Sequence, residues 1–270
     1  MLPRLTLVRN LELVRKLGDG SAVEAFLGRL EGVHYLVQVS RPEMGRAADL
    51  MGRFLDISKT VVAAPPHAEL LTPRHVTMTP DGRFLLRSDR ITGWTAADVL
   101  RRCAVPEPLV VDWGMALCEA LSTLHDRGQT HGCLAPRHLH LHGTASFPSV
   151  RLADTTFLHF RAGASLTPER AVTVVEPEYL APERATGSRG SPLSDVWGFG
   201  ALLVELLTGH APFRGRTAAE SRILAQNARP PRLPPHWARW SEVILGTLDP
   251  LPINRFSSAL ELRQALLALA

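Results

Sequence analysis

The chain has 270 residues, of which 45% are hydrophobic and 21% are charged, a composition typical of one two-lobed globular domain or two small ones. The net charge of +4 is modest and the arginines are scattered, so we expect no nucleic-acid-binding surface. No apolar stretch reaches the ~18 residues that a membrane-spanning helix needs, and we expect no membrane contact within this segment. Three cysteines without CxxC spacing predict free thiols and a cytoplasmic protein.

The first part of the chain carries the patterns of β-strands, which are rich in β-branched and aromatic residues. Strands are predicted over residues 11–17, 23–30, 34–39, 71–78 and 84–89. A single helix is predicted over residues 46–62, because apolar residues recur there with helical spacing and the pattern stops before Pro65. Residues 1–91 are therefore predicted to form a small β-rich lobe with one main helix.

From residue 92 the pattern becomes mainly helical. Thr95 is a candidate N-cap for the first helix. Helices are predicted over residues 94–103, 109–127, 193–207, 218–227, 237–248 and 257–269, with short strands over 139–141 and 150–153. Residues 92–270 would form a larger helical lobe, which gives a bilobal α+β fold. The sequence stops directly after an amphipathic helix, so we expect it to be the first domain of a longer protein.

Five short motifs follow one another in the second half of the chain. They are HGCLAPRH at 131–138, EYLAPE at 178–183, DVWGFG at 195–200, GHAPF at 209–213 and DPLPINRF at 249–256. Each motif alone is weak, but their order and separations are specific. From about residue 11 to residue 270, the sequence resembles a bacterial Ser/Thr protein kinase domain of the eukaryotic-like, or Hanks, type. The resemblance implies the protein-kinase fold for the two predicted lobes.

The resemblance also implies roles for four structural residues. His131 would pack the catalytic loop, and Asp195 would hydrogen-bond the backbone of that loop. Glu183 and Arg255 would form a buried ion pair, whose disruption typically costs ~3–5 kcal/mol. These positions match the family pattern, and we expect them to maintain the frame of the helical lobe.

The nucleotide-binding positions of the family pattern are altered. Gly18 and Gly20 match the first two glycines of the phosphate-binding loop, but Val23 replaces the third. An ordinary hairpin turn is the alternative interpretation of these glycines. Gln38 stands where the family has the lysine that pairs with the α- and β-phosphates. Leu36 replaces the alanine that covers the adenine, which predicts a partly filled pocket.

The positions that carry out phosphoryl transfer are altered as well. Cys133 replaces the aspartate that accepts the proton of the substrate hydroxyl, and His138 replaces the asparagine that holds a second magnesium ion. Ala135 replaces the lysine that steadies the γ-phosphate, and Thr155 and Thr156 replace the Phe-Gly that follows the metal-binding aspartate. These departures predict that the chain is a pseudokinase and not an enzyme.

Asp154 is the one metal-binding residue of the family pattern that survives, and His138 is the second candidate metal ligand. An imidazole would favour zinc or another transition metal over magnesium. His140 and His142 alternate with it along the chain, and ordinary polar histidines are the alternative. We expect no cofactor, and ATP with magnesium is the alternative to that expectation.

The predicted function follows from the retained frame and the altered site. The resemblance implies a pseudokinase that acts as a protein-binding scaffold or allosteric regulator. Its partner would be a protein, either an active kinase or another signalling protein. The alternative is a weakly active or nucleotide-sensing Ser/Thr protein kinase-like domain, supported by Asp154, the glycine turn and the intact segment around Glu183.

Overall fold

The computed structural model describes residues 10–19, 23–42, 66–90, 93–144, 148–153, 176–232 and 234–270. These residues divide into two compact units, one up to residue 90 and the other from residue 93 onward. The predicted helix over 46–62 and the predicted lobe boundary between 91 and 92 lie outside the described residues. Both stay predictions.

The first unit is built on an antiparallel sheet. Its strands are β1 (Glu12–Asp19), β2 (Val23–Leu30), β3 (Val33–Ser40), β4 (Leu70–Leu71), β5 (His75–Met78) and β6 (Phe84–Asp89). Five of them form one sheet in the order β1-β2-β3-β6-β5. Where one strand was predicted over 71–78, the structure has β4 and β5 separated by residues 72–74. Pro73 lies in that gap, and proline cannot donate a hydrogen bond to a strand ladder.

One face of this sheet carries the apolar core of the first unit. The core consists of Leu11, Phe26, Val37, Val39 and Leu85, all of them buried. Val37 and Val39 are two residues apart on β3, so both point to the same side of the sheet. The β-branched residues that predicted the strand therefore also supply its packing.

The second unit is helical and also contains a β-hairpin. Its helices are α1 (Ala96–Leu100), α2 (Glu107–Asp126), α3 (Pro182–Ala185), α4 (Pro192–Thr208), α5 (Ala218–Gln226), α6 (Ser241–Thr247) and α7 (Ala259–Leu267). The hairpin pairs β7 (Leu139–Gly143) with β8 (Pro148–Ala153). A sheet unit followed by a helical unit confirms the predicted α+β class. Within the described part of the chain, no helix has both the length and the apolar composition that crossing a bilayer requires.

The helix boundaries follow local capping signals. Thr95 caps α1, because its side chain accepts a hydrogen bond from the Asp98 backbone while the Asp98 carboxylate accepts one from the Thr95 backbone. The prediction of one helix over 237–248 was wrong in part. A 3-10 turn over Pro235–Trp240 precedes α6, because Pro234 and Pro235 favour a tight turn at this point.

Helix α4 is the centre of the second unit. Ser191 caps its start with a reciprocal hydrogen-bonded pair to Ser194, and Gly209 ends it in the left-handed conformation. Trp197 and Phe199 are both 0% exposed, and nearly all of the helix is buried. A helix that is apolar on every side belongs in the core of a domain.

Gly200 is expected to be intolerant of a side chain, since a Cβ atom there would lie 2.2 Å from Thr247 Oγ1 and 2.6 Å from its Cβ. Gly200→Ala is expected to lower the free energy of unfolding by about 1–3 kcal/mol relative to Gly198→Ala. At Gly198 the nearest atom, Leu134 Cβ, would be 3.4 Å away. Both changes bring the same gain in helix propensity, so their difference in denaturant unfolding isolates the clash. Equal stabilities would contradict this account.

Candidate functional site

The loop that carries Cys133 and His138 is positioned by the elements on either side of it. Helix α2 ends at Asp126 with Arg127 as its C-cap, and Gly128 follows with a φ of +68°, a conformation that turns the chain away from the helix axis. A stretch without regular secondary structure over 131–135 leads into a 3-10 turn over Pro136–His138 and then into β7. We refer to residues 131–138 as the central loop.

Asp195, at the start of α4, holds the backbone of the central loop. The backbone N–H groups of His131 and Gly132 donate to its two carboxylate oxygens at 2.7 Å each, and His125 Nε2 lies 2.9 Å from Oδ2. Burial raises the pKa of Asp195, but the hydrogen bond from His125 and the other polar neighbours outweigh it and hold the pKa below its usual value. The carboxylate is therefore ionised, and it binds the backbone of the central loop through two hydrogen bonds.

His131 is buried, and its ring is fixed by two hydrogen bonds. Nε2 donates to the Ala153 carbonyl at 3.0 Å, and Nδ1 accepts from the Cys133 backbone N–H at 3.4 Å. Burial lowers the pKa of the imidazole, which is consistent with a neutral ring. The ring thus ties the central loop to the end of β8. Asp154, Thr155 and Thr156 follow Ala153 directly and lie outside the described residues.

Cys133 is a buried thiol that is 4% exposed. Burial raises the pKa of Cys133 to about 11, so the thiol stays protonated near neutral pH. A protonated thiol cannot accept the proton of a substrate hydroxyl. Ala135, two residues further along, is 0% exposed and brings no polar group to the loop.

His138 has both ring nitrogens engaged. Nδ1 donates to the Cys133 carbonyl at 2.7 Å, and Nε2 accepts from Arg137 Nε at 3.2 Å. Burial lowers the pKa of His138 to about 3, with nearby His131 and Arg137 acting in the same direction. The ring is therefore neutral, and it offers a metal ion no unoccupied nitrogen.

A metal site is not assembled by the residues that the structure describes. No three His, Cys, Asp or Glu side chains come together among them in a way that could hold an ion. Magnesium prefers oxygen ligands, so the His138 imidazole does not fit a magnesium site. The predicted pair of Asp154 and His138 stays a prediction, because Asp154 is not among the described residues.

Glu183 and Arg255 form a buried, bidentate ion pair. Arg255 Nη1 and Nη2 donate to the two carboxylate oxygens of Glu183 at 2.8 Å each, and the arginine side chain is 0% exposed. Arg255 also donates to the carbonyls of Leu193 and Asp249, both at 2.8 Å. The pair therefore joins α3, the start of α4 and the turn before α7.

Glu176 was not predicted from the sequence. It directly precedes a 3-10 turn over Pro177–Tyr179, and its Oε1 lies 2.9 Å from Arg137 Nη1 on the central loop. Burial raises the pKa of Glu176 to about 7, opposed by Arg137 and reinforced by Glu178. The sequence offered one signal for this residue. Two glutamates, Glu176 and Glu178, lie two residues apart where the 178–183 segment begins.

Gln38 lies in the first unit, on the sheet face opposite to the apolar core. It pairs with Ala25 on β2 and with Leu86 on β6, and it is half-buried. Leu36 is two residues away and shares this face. Gly18 pairs with Ala25 at the end of β1, whereas Gly20 lies outside the described residues.

Lys16 lies on the opposite face of the same sheet from Gln38. It therefore does not take the place of the lysine that the family pattern has at position 38. Its register partner is Phe26, whose partner on β3 is Val37. Its Nζ lies 2.7 Å from Glu24 Oε1. The face that holds Gln38 and Leu36 therefore gains no charge from this lysine.

The stability of the protein is expected to depend on the ionisation of Glu176. Since its pKa is about 7 in the folded protein and 4.5 is its usual value, the folded state holds a proton between these pH values that the unfolded state releases. Stability due to this group falls as the pH rises from 4.5 to 7. The side chain is 26% exposed, so we reduce the full value and expect a loss of about 2–3 kcal/mol.

Glu176→Gln removes this loss, because the amide does not ionise. The variant should gain about 2–3 kcal/mol relative to the unmodified protein between pH 4.5 and pH 8 in urea unfolding. His138 has the opposite effect, since its lowered pKa costs stability as the pH falls from 6.5 towards 3. His138 is present in both proteins, so its contribution cancels from the difference in stability between them. A difference that is independent of pH would contradict the assignment.

Comparison with known proteins matches nearly the whole chain to one protein family. A family model described as "Protein kinase domain" matches residues 12–268. The chain is 29% identical over 245 residues to "Serine/threonine-protein kinases drp72" of Corynebacterium efficiens, covering 86% of this chain and 45% of the relative. It is 27% identical over 277 residues to "Serine/threonine-protein kinase pkn2" of Myxococcus xanthus, covering 98% of this chain and 33% of the relative. The chain thus spans less than half of either relative.

Solved structures agree on the fold. The kinase domain of PknI from Mycobacterium tuberculosis superposes with a TM-score of 0.73 at 20% identity and covers 100% of both chains. A second crystal structure of the same kinase domain gives a TM-score of 0.73 at 21% identity, covering 98% of both chains. These likenesses confirm the predicted bilobal protein-kinase fold, with a sheet lobe and a helical lobe.

The relatives also overturn one prediction. They are named Ser/Thr protein kinases at 24–29% identity, so the prediction that this chain is a pseudokinase and not an enzyme is wrong. The physical reason is that residue identities at single motif positions do not describe the other titratable groups around a site, so altered positions alone do not decide whether a domain is an enzyme.

Proposed function

Because the chain belongs to the protein kinase domain family, whose model matches residues 12–268, we propose that it is a regulatory Ser/Thr protein kinase domain that binds a protein partner and transfers phosphate slowly. The observation that carries this proposal is the buried thiol of Cys133 within a central loop whose backbone is hydrogen-bonded by Asp195. The frame of the loop is kept, and the group at its centre is not a base.

Slow transfer is supported by the state of the central loop. With the pKa of Cys133 raised to about 11, the thiol holds its proton at neutral pH. Any proton acceptor must then lie at another position, so the domain loses part of the rate factor of about 10²–10⁴ that a base at position 133 contributes, which is on the order of 3–5 kcal/mol in the activation free energy when lost in full. Gln38 also brings no positive charge to offset the phosphates of ATP, which enters this proposal as co-substrate.

Binding to a protein partner is supported by what the fold maintains. Asp195 and the Glu183–Arg255 pair join several elements of the helical unit, even though burying charges is costly unless every partner is supplied. A surface held in this way suits recognition of an active kinase or another signalling protein. We place the protein in the cytoplasm, because Cys103, Cys118 and Cys133 are all free thiols.

The test adds increasing amounts of this domain to an active Ser/Thr kinase domain from the same cell. Phosphate transfer from ATP to a serine peptide is followed at each concentration. A rate that changes and then saturates is the expected result, because binding sites become filled. A rate that stays constant up to high micromolar concentrations contradicts regulation of kinases through binding. Denatured domain serves as the control.

A further inference from the structure

Glu176 has one carboxylate oxygen held and one unengaged. Oε1 is fixed by Arg137 Nη1 at 2.9 Å. Oε2 is buried, and no group in the described part of the chain hydrogen-bonds it. Buried polar atoms without a partner are rare in folded proteins, and each calls for an explanation. A proton acceptor that stays unpaired until a substrate hydroxyl reaches it is one such explanation.

The position of Glu176 connects it to the altered catalytic position. The Glu176 backbone and Arg137 both act to lower the pKa of the Cys133 thiol, against the larger effect of burial. Arg137 lies in the 3-10 turn of the central loop, where its Nε donates to His138 Nε2 at 3.2 Å. The Glu176 carboxylate is therefore held against the central loop through its ion pair with Arg137.

The charges around Glu176 leave its carboxyl able to take up and release a proton near neutral pH. Arg137 and Arg214 favour the ionised form, whereas burial, Glu178 and Glu205 favour the protonated form. Arg214 is largely committed to the other two carboxylates, with Nη2 3.2 Å from Glu205 and Nε 3.6 Å from Glu178. Burial therefore dominates and raises the pKa of Glu176 to about 7, close to the optimum for a general base.

We propose that Glu176 is the proton acceptor for the hydroxyl group of the Ser or Thr substrate, in place of the residue at position 133. This inference rests on the proposed transfer of phosphate by the domain. As the substrate oxygen forms its bond to the γ-phosphorus of ATP, its proton moves to Glu176 Oε2. The bond between the γ-phosphorus and the β,γ-bridging oxygen breaks, and ADP leaves with the electron pair.

The test compares phosphate transfer by the unmodified domain with that by Glu176→Gln and Glu242→Gln, using γ-labelled ATP and a serine peptide from pH 5.5 to pH 9. Glu242 is an exposed residue of α6 and controls for the loss of one carboxylate. Glu176→Gln is expected to lower the rate by 10²–10⁴-fold and to remove the rise in rate centred near pH 7. Glu242→Gln should keep both the rate and the rise.

A third variant separates proton transfer from a structural role. Glu178 raises the pKa of Glu176, so Glu178→Gln should keep the rate plateau and move the midpoint of the rise to lower pH. Carbon-13 NMR of labelled glutamate offers a readout that does not depend on activity. One carboxyl resonance should titrate near pH 7 in the unmodified protein and be missing from folded Glu176→Gln.

The outcomes distinguish this inference from the proposed function. If the unmodified domain transfers phosphate and Glu176→Gln matches it in rate and pH profile, the assignment of Glu176 is overturned and the proposed function stands. If the unmodified domain transfers none, both fall. If no glutamate titrates near pH 7, the assignment is overturned regardless of the rates.

Discussion

Replacement of Arg255 by leucine is expected to lower the free energy of unfolding by about 3–5 kcal/mol. The change leaves the Glu183 carboxylate without its bidentate partner and removes the donor to the carbonyls of Leu193 and Asp249. The guanidinium group also lies 5.0 Å from the centre of the Trp197 ring, so packing is lost as well. Denaturant unfolding measures the effect directly.

A matched control for Arg255→Leu is Arg216→Leu. Arg216 also pairs with a glutamate, Glu220, at 3.2 Å, but its side chain is 91% exposed. Exposed pairs of this kind contribute about 0–1 kcal/mol, so the control should stay close to the unmodified protein. A loss below about 1 kcal/mol for both variants would mean that the Glu183–Arg255 pair does not hold the helical unit together.

Asp195→Asn is expected to cost about 2–4 kcal/mol. The carboxylate accepts from the backbone N–H groups of His131 and Gly132 at once, and one end of an amide is itself a donor. One buried N–H would therefore face an NH₂ group, and the central loop would lose part of its anchor. Thermal and urea unfolding of the variant give the magnitude.

Asp112→Asn provides the comparison for this change. Asp112 is an exposed residue of α2, where the same substitution should alter stability by less than about 0.5 kcal/mol. If Asp195→Asn proved as mild as Asp112→Asn, the central loop would not depend on the carboxylate.

Much of the fold could be predicted because local signals and packing agree. The strands over 23–30 and 84–89 have the predicted bounds, since their apolar residues also fill the core of the first unit. Thr95 begins α1 as its capping pattern indicates. The errors fall where proline interrupts a regular pattern, at residues 72–74 and before α6.

The candidate site was less predictable. Motif spacing pointed to four residues that make hydrogen bonds in the structure: His131, Asp195, Glu183 and Arg255. These could be predicted because each role requires one residue type at one position. Glu176 could not be found in this way. Glu176 lies 39 residues after Arg137, its partner on the central loop. Its raised pKa depends on burial and on four charged neighbours, which no spacing encodes.

The most direct test of slow transfer is the initial rate of phosphate transfer from γ-labelled ATP to a serine peptide at pH 7.5. The kinase domain of pkn2 from Myxococcus xanthus, the relative at 27% identity, serves as the reference at equal concentration. The expected result is a rate that saturates with ATP, exceeds the enzyme-free blank and lies at least about 10²-fold below the reference. A rate equal to the blank, or equal to that of the reference, would contradict the account.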